Sequence, residues 1–289
     1  MRVLLVLGRV SNLPTVWSNC LAAWLLAGGG PWSRFGLVCL GATLLYTGGM
    51  FLNDAVDQAF DRRHRPERPI PSGLISSRAV WILSLVWLLA GWATFLPAGK
   101  SSLAIASALL GAIVLYDFVH KRTARAPLLM AACRFLLYLL AAEAAGNSVN
   151  RPVYWRAAAL AAYIIGLSYF ARGESTGVNL IRWIGMLLFV PAVVSFVNPS
   201  ADFRIITAVS AIQVGWTLWC AFTLKRRRES CGSAAHIPHL ISWIPSGVAG
   251  LLAGVVLVDL LASVGHGLGG VFLGLFLLAL WLQRVAPAT

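Results

Sequence analysis

Acidic side chains are scarce in this chain. Only ten of its 289 residues are Asp or Glu, and charged residues of both signs make up 11%, against about a quarter in a soluble domain. With 59% apolar residues and a mean hydropathy of +0.79, that shortage excludes a soluble globular protein. A helix needs about 20 apolar residues to cross a bilayer, so the length allows roughly nine or ten spans and leaves no room for a soluble domain. One all-α polytopic domain over residues 1–289 is expected. Paired cysteines are also lacking. Cys20, Cys39, Cys133, Cys220 and Cys231 form no CxxC motif and no disulfide framework, and the four in apolar stretches read as small buried side chains. The opening MRVLLVLGRVSNLP has too short an apolar run, and no small-residue cleavage site, for a signal peptide.

What is abundant is apolar sequence. Runs fall at about 13–29, 35–53, 80–97, 102–119, 127–146, 153–171, 180–197, 205–223, 241–262 and 266–283, with boundaries set by hydrophobic periodicity. Loop signals at Asn198-Pro199-Ser200 and between Gly265 and Gly270 leave nine spans open as well as ten. The 23 Lys and Arg give a net charge of +13. Laid on these spans, 17 fall on one side, five on the other, and Arg134 inside a span. Basic residues collect in cytoplasmic loops, so the N-terminus is expected in the cytoplasm of a multi-pass protein of the bacterial inner membrane. The run Lys225 to Arg228 reads as a headgroup anchor rather than a nucleic-acid patch, and no nucleic-acid partner is expected.

Four of the ten carboxylates fall within fourteen residues, at the cytoplasmic end of the second run: Asp54, Asp57, Asp61 and Glu67. If the helix continues, Asn53, Asp54, Asp57 and Asp61 share one 100° face. Oxygen ligands of this kind suit Mg²⁺, which completes its shell with water and phosphate oxygens. Arg62, Arg63, Arg65 and Arg68 follow and are suited to gripping phosphates by forked hydrogen bonds. A solvated helix end whose acids pair with these arginines accounts for the composition equally well.

The residue order adds a resemblance. Asn53-Asp54-Ala-Val-Asp57-Gln-Ala-Phe-Asp61, followed by a loop ending Arg68-Pro69…Gly73, resembles the first aspartate-rich motif of the UbiA superfamily of intramembrane prenyltransferases. Tyr116-Asp117-Phe-Val-His120-Lys121-Arg122 resembles that family's Tyr-x-x-x-Lys-Arg element, with one residue extra before Lys121. The resemblance implies a helical bundle around a central cavity, with Asn53, Asp57 and Asp61 holding Mg²⁺ and Asp54, Asp57 and Asp61 as catalytic carboxylates. It places an isoprenoid diphosphate on Asn53, Arg68, Lys121, Arg122 and Arg172, and passes its chain to an aromatic or other lipophilic acceptor.

Where such proteins carry a second Asp-x-x-x-Asp, this chain reads Tyr163-Ile-Ile-Gly-Leu-Ser168-Tyr169-Phe170-Ala-Arg172-Gly-Glu174. No aspartate stands there. The readings are an enzyme working with one metal plus cations, Arg172 substituting for the missing ion, or a non-catalytic protein that binds or helps move an isoprenoid. Further cavity-lining candidates are Asn12, Asn19, Tyr116, Asp117, Arg134, Tyr169 and Glu174. Asp117 and Lys121, four apart, are placed to pair or to share the anion. Asp259, near the outer end of its span, receives no role.

Overall fold

The computed structural model describes residues 2–146, 149–176, 181–197, 201–230 and 247–285, without the side chains of 2, 173–176, 181–182 and 224–230. The described residues are helical throughout, with no strand. In chain order the helices are α1 (Arg2–Leu7), α2 (Leu13–Leu26), α3 (Trp32–Val56), α4 (Gln58–His64), α5 (Ser77–Ala93), α6 (Lys100–Val119) and α7 (Ala126–Ala144). There follow α8 (Arg151–Thr176), α9 (Ile181–Ile184), α10 (Val190–Val197), α11 (Phe203–Ser230), α12 (Val248–Ala262) and α13 (Gly269–Val285). Six of the described helices are long and apolar enough to cross a membrane, α3, α5, α6, α7, α8 and α11, and shorter apolar segments lie at Gly185–Val197, Val248–Ala262 and Gly269–Val285.

Two helices form the centre. α2 is short, about 21 Å at 1.5 Å per residue, and buries most of its surface against α3, α7, α12 and α13. α12 is buried almost all round, as an apolar helix in the interior of a bundle must be. The outer helices α5, α6 and α11 turn Leu85, Leu89, Leu115, Ile212, Leu218 and Phe222 outward, an apolar rim suited to lipid. α3 and α5 cross closely because both carry glycine at the contact. A Cβ on Gly91 would lie 2.8 Å from the Leu45 nitrogen, and one on Gly48 2.9 Å from the Leu88 nitrogen. Small residues allow such an approach between membrane helices.

The apolar run at 180–197 is not one helix. α9 passes into a 3-10 turn at Gly185–Phe189 before α10, and Pro191 explains the change, because it has no N–H to donate and its ring crowds the carbonyl four residues earlier. The run at 241–262 enters the described residues at Gly247, and α12 begins one residue later.

The expected continuation past the end of α3 holds with a bend at Asp57. The ladder bonds Asp57 N to Asn53 O and Asp61 N to Asp57 O are both 2.9 Å, so α4 carries on the acidic face of α3.

Candidate functional site

At the junction of α3 and α4, Asn53, Asp54, Asp57 and Asp61 are all buried, and buried carboxylates require partners. Arg68, brought back by the loop after α4, donates from Nη1 to Asp61 Oδ2 at 2.8 Å and to Asp54 Oδ1 at 3.4 Å. Arg9 donates from Nη2 to Asn53 Oδ1 at 3.2 Å and to Asp54 Oδ1 at 3.5 Å. Among the described residues Arg9 is the only non-glycine at positive φ, +43°, a conformation costing about 1–3 kcal/mol and tolerated where the surroundings hold it.

The end of α6 closes the cluster from the other side. Lys121 Nζ lies 2.9 Å from Asp57 Oδ1 and His120 Nε2 3.3 Å from Asp57 Oδ2. Burial works against the charge on Asp57, but the bonds from His120 and Lys121 prevail and hold its carboxyl below the usual carboxylate range. The converse applies to His120, where burial pushes the imidazole down and the bond to Asp57 outweighs it, raising the pKa. His120 stacks on Tyr116, one helical turn back, with ring centroids 5.2 Å apart, and Lys121 Nζ sits 3.7 Å from the centre of the Phe60 ring. The extra residue in this element therefore adds a second grip on Asp57.

Of the two expectations for Asp117 and Lys121, a mutual pair or a shared anion, the pair does not form. Lys121 is committed to Asp57, while Asp117 Oδ1 accepts from Asn53 Nδ2 at 3.1 Å. Asp117 Oδ2 is buried with no hydrogen-bond partner among the described residues.

Arg9 and Asp117, both bonded to this mouth, also line a cavity of about 410 Å³, whose wall does not itself include Asn53, Asp54, Asp57, Asp61, Arg68 or Lys121. Arg9, Tyr116, Asp117 and Arg172 stand at its polar end, and Val16, Leu45, Leu109, Ile113, Leu137 and Leu167 are among its apolar walls. Asn12 and Arg134 also reach the wall. Arg172, on α8, donates to the carbonyls of His120, Thr123 and Ala124 at 3.0–3.3 Å, which fixes the α6–α7 loop beside the mouth.

Other candidates lie apart from the cavity. Tyr169 bonds the Ala124 carbonyl at 3.2 Å and Arg122 is exposed, and neither lines the cavity. Asn19 stands behind the wall, between Arg134 and Asp259. The Glu174 side chain lies outside the described residues. Sequence reasoning missed three participants: Arg9, counted only as a topological charge; His120, treated as a spacer; and Asp259, a lone acid with no local motif.

A sequence model of the UbiA prenyltransferase family matches residues 12–237. The chain belongs to this family. The 4-hydroxybenzoate octaprenyltransferase of Albidiferax ferrireducens is 29% identical over 109 residues, 37% of each chain, so in that match the chain spans little more than a third of the relative. The protein of the same description from Polaromonas naphthalenivorans is 27% identical over 260 residues, 81% of this chain and 89% of that one. A solved UbiA homolog from Archaeoglobus fulgidus bound to GPP and Mg²⁺ has the same fold, with a TM-score of 0.61 and 15% identity, covering 93% of this chain and 100% of the other. The UbiA match takes in the whole mouth except Arg9, while Asp259 lies beyond it.

Proposed function

We propose that the chain is an integral-membrane prenyltransferase, moving an isoprenoid chain from a prenyl or polyprenyl diphosphate to an aromatic or other lipophilic acceptor with Mg²⁺. The observation that carries this reading is the meeting of two unlike environments: cations and carboxylates at a mouth, joined through Arg9 and Asp117 to a mainly apolar cavity of about 410 Å³. A lipid diphosphate needs both. The names of the relatives and the ligands of the Archaeoglobus fulgidus homolog support the same chemistry.

Mg²⁺ fits the donor set. The available atoms are oxygens, and Asp117 Oδ2 is buried and unpartnered among the described residues. No three His, Cys, Asp or Glu side chains among the described residues stand ready as a cage, which suits an ion that takes one or two carboxylates plus water and phosphate. Asn53, Asp57 and Asp61 would hold it, with Asp54 and Asp117 beside them. When bound, it supplies positive charge to the departing diphosphate.

The protein's own side chains do the rest. Arg68, Lys121 and Arg172 donate to phosphate oxygens, with Arg122 at the outer edge, and Arg68 and Lys121 exchange their present carboxylate partners to do so. The Tyr116 ring stands at the mouth, where its face shields the allylic cation as it forms. The apolar walls exclude water, so the acceptor captures that cation and then sheds a proton to the departed diphosphate. We place the N-terminus in the cytoplasm of a bacterial inner membrane, with nine or ten spans in a single domain over residues 1–289.

The test is transfer from labelled geranylgeranyl diphosphate, with Mg²⁺, to a panel of phenolic and lipid acceptors. Transfer lost in Asp57→Ala is the expected result. Mg²⁺-dependent binding with no pyrophosphate release across the panel overturns it. That outcome establishes instead a non-catalytic isoprenoid binder, a reading favoured by the absence of a second aspartate pair around Ser168 and Arg172 on α8.

A further inference from the structure

A polar cluster behind the cavity wall takes no part in holding the diphosphate. Three helices remote in sequence supply it. Arg134, on α7, donates from Nη1 to the Thr15 carbonyl at 3.2 Å and to Asn19 Oδ1 at 2.6 Å, and from Nη2 to Thr15 Oγ1 at 3.0 Å. Asn19 Nδ2 donates to Asp259 Oδ2, on α12, at 2.7 Å, and Ser18 Oγ donates to the same oxygen at 2.5 Å. Asn19 and Asp259 are fully buried.

A carboxamide has a donor end and an acceptor end. By accepting from Nδ2, Asp259 Oδ2 turns Asn19 Oδ1 toward Arg134 and so selects the orientation that holds the guanidinium. Both donors converge on Oδ2, and Asp259 Oδ1 has no hydrogen-bond partner among the described residues. The two donors on Oδ2 and the Arg134 guanidinium on the far side of the amide are what favour the carboxylate against the cost of burying it.

Arg134 and Asp259 therefore form a balanced pair of charges bridged by an amide. The other titratable groups at the polar end of the cavity already have partners, Arg9 with Asn53 and Asp54, Arg172 with three carbonyls, and Asp117 with Asn53. Arg134 begins eight residues into α7, about 12 Å of helical rise from its start. It uses three hydrogens on Nη1 and Nη2, leaving one on Nη2 and the Nε hydrogen without a protein acceptor among the described residues.

We propose that Asp259, acting through Asn19, neutralises and positions Arg134, so that the inner cavity receives an uncharged polar group of the acceptor, a hydroxyl or carbonyl oxygen, rather than a carboxylate. A neutral oxygen needs only the spare N–H donors. A carboxylate would be stripped of water to meet a cation whose charge is already balanced, and its desolvation would go uncompensated. The proposal rests on the prenyl-transfer reading for what the ligand is, and makes Asp259 a specificity-determining residue.

Binding of methyl 4-hydroxybenzoate and of 4-hydroxybenzoate to the full-length purified protein, measured by titration calorimetry, tests it. The wild type is expected to favour the ester by at least about tenfold, and Asp259→Asn, which keeps the shape and removes the charge, to shift the ratio toward the carboxylate by at least about tenfold. A purely structural role for Asp259 would weaken both probes alike. Wild-type protein that binds 4-hydroxybenzoate as tightly as the ester, or binds neither, overturns the proposal whether or not the variant folds, and so does an unchanged ratio in folded Asp259→Asn. Mg²⁺-dependent binding of geranylgeranyl diphosphate to the same wild-type sample separates the failures. If it binds while the probe ratio fails, only the acceptor proposal falls; if it does not bind, the prenyltransferase reading falls.

Discussion

The mouth and the inner cluster are built from the same three groups, a carboxylate, a carboxamide and an arginine, yet they are arranged for opposite ends. At the mouth Asp54, Asp57 and Asp61 share several cations, and Arg9 and Lys121 keep part of their surface in solvent, with side-chain exposures of 25% and 34%. Those pairs can open, because water and an incoming anion replace what each cation gives up. Around Asn19 the three groups are locked into a chain, Arg134 to Asn19 to Asp259, and Asn19 and Asp259, both fully buried, have no solvent to offset the loss of a partner. The comparison teaches that exchangeable pairs suit a binding site for a charged head group, whereas a fixed pair suits a wall.

The largest test of that contrast removes the centre of the mouth. Asp57→Asn is expected to lower prenyl transfer by about 10³-fold, a loss of preorganised electrostatics, while leaving the melting temperature near the wild-type value; comparable melting losses in Asp57→Asn and in the inner cluster would break the distinction. Next in size, Asn19→Leu strands Asp259 and Arg134 and is expected to cost about 3 kcal/mol of stability, read by thermal unfolding in detergent. Lys121→Gln should cost less than about 1 kcal/mol of stability, as half-exposed ion pairs do, but should raise KM for the prenyl diphosphate about tenfold through the lost charge-assisted contact.

The smallest effect is on titration. The raised pKa of His120 means that its charged contact with Asp57 is whole below the ordinary histidine value and lost as the pH rises through the raised one. The depressed pKa of Asp57 means that its share is whole above the ordinary carboxylate value and lost as the pH falls through the depressed one. Imidazole NMR should therefore report a midpoint above that of a free histidine, returning toward it in Asp57→Asn. An unshifted wild-type midpoint would separate His120 from the mouth.

The two regions also differ in how far they can be read from residue order. Asn53, Asp54, Asp57 and Asp61 lie within nine positions, and helical periodicity alone brings them to one face. Arg68 was legible for the same reason, since a short loop returns it to the helix it has just left. Lys121 was expected to serve the same anion but was matched with Asp117, its neighbour on the helix, whereas packing gave it Asp57. Asp259 was passed over because its partners are about 240 positions away, and a lone acid in an apolar run carries no pattern.

Membrane residence, helical class and the position of the acidic mouth were determined by the sequence alone, because each follows from composition or from neighbours within a few turns of helix. The threefold grip of Arg172 on the α6–α7 loop, the break of the 180–197 run before Pro191, and the joining of Arg134 to Asp259 through Asn19 belong to the tertiary structure. Pairing between remote helices depends on their crossing angle and register, which are set by the packing of α2 and α12 at the centre of the bundle, where no local rule assigns one side chain to another.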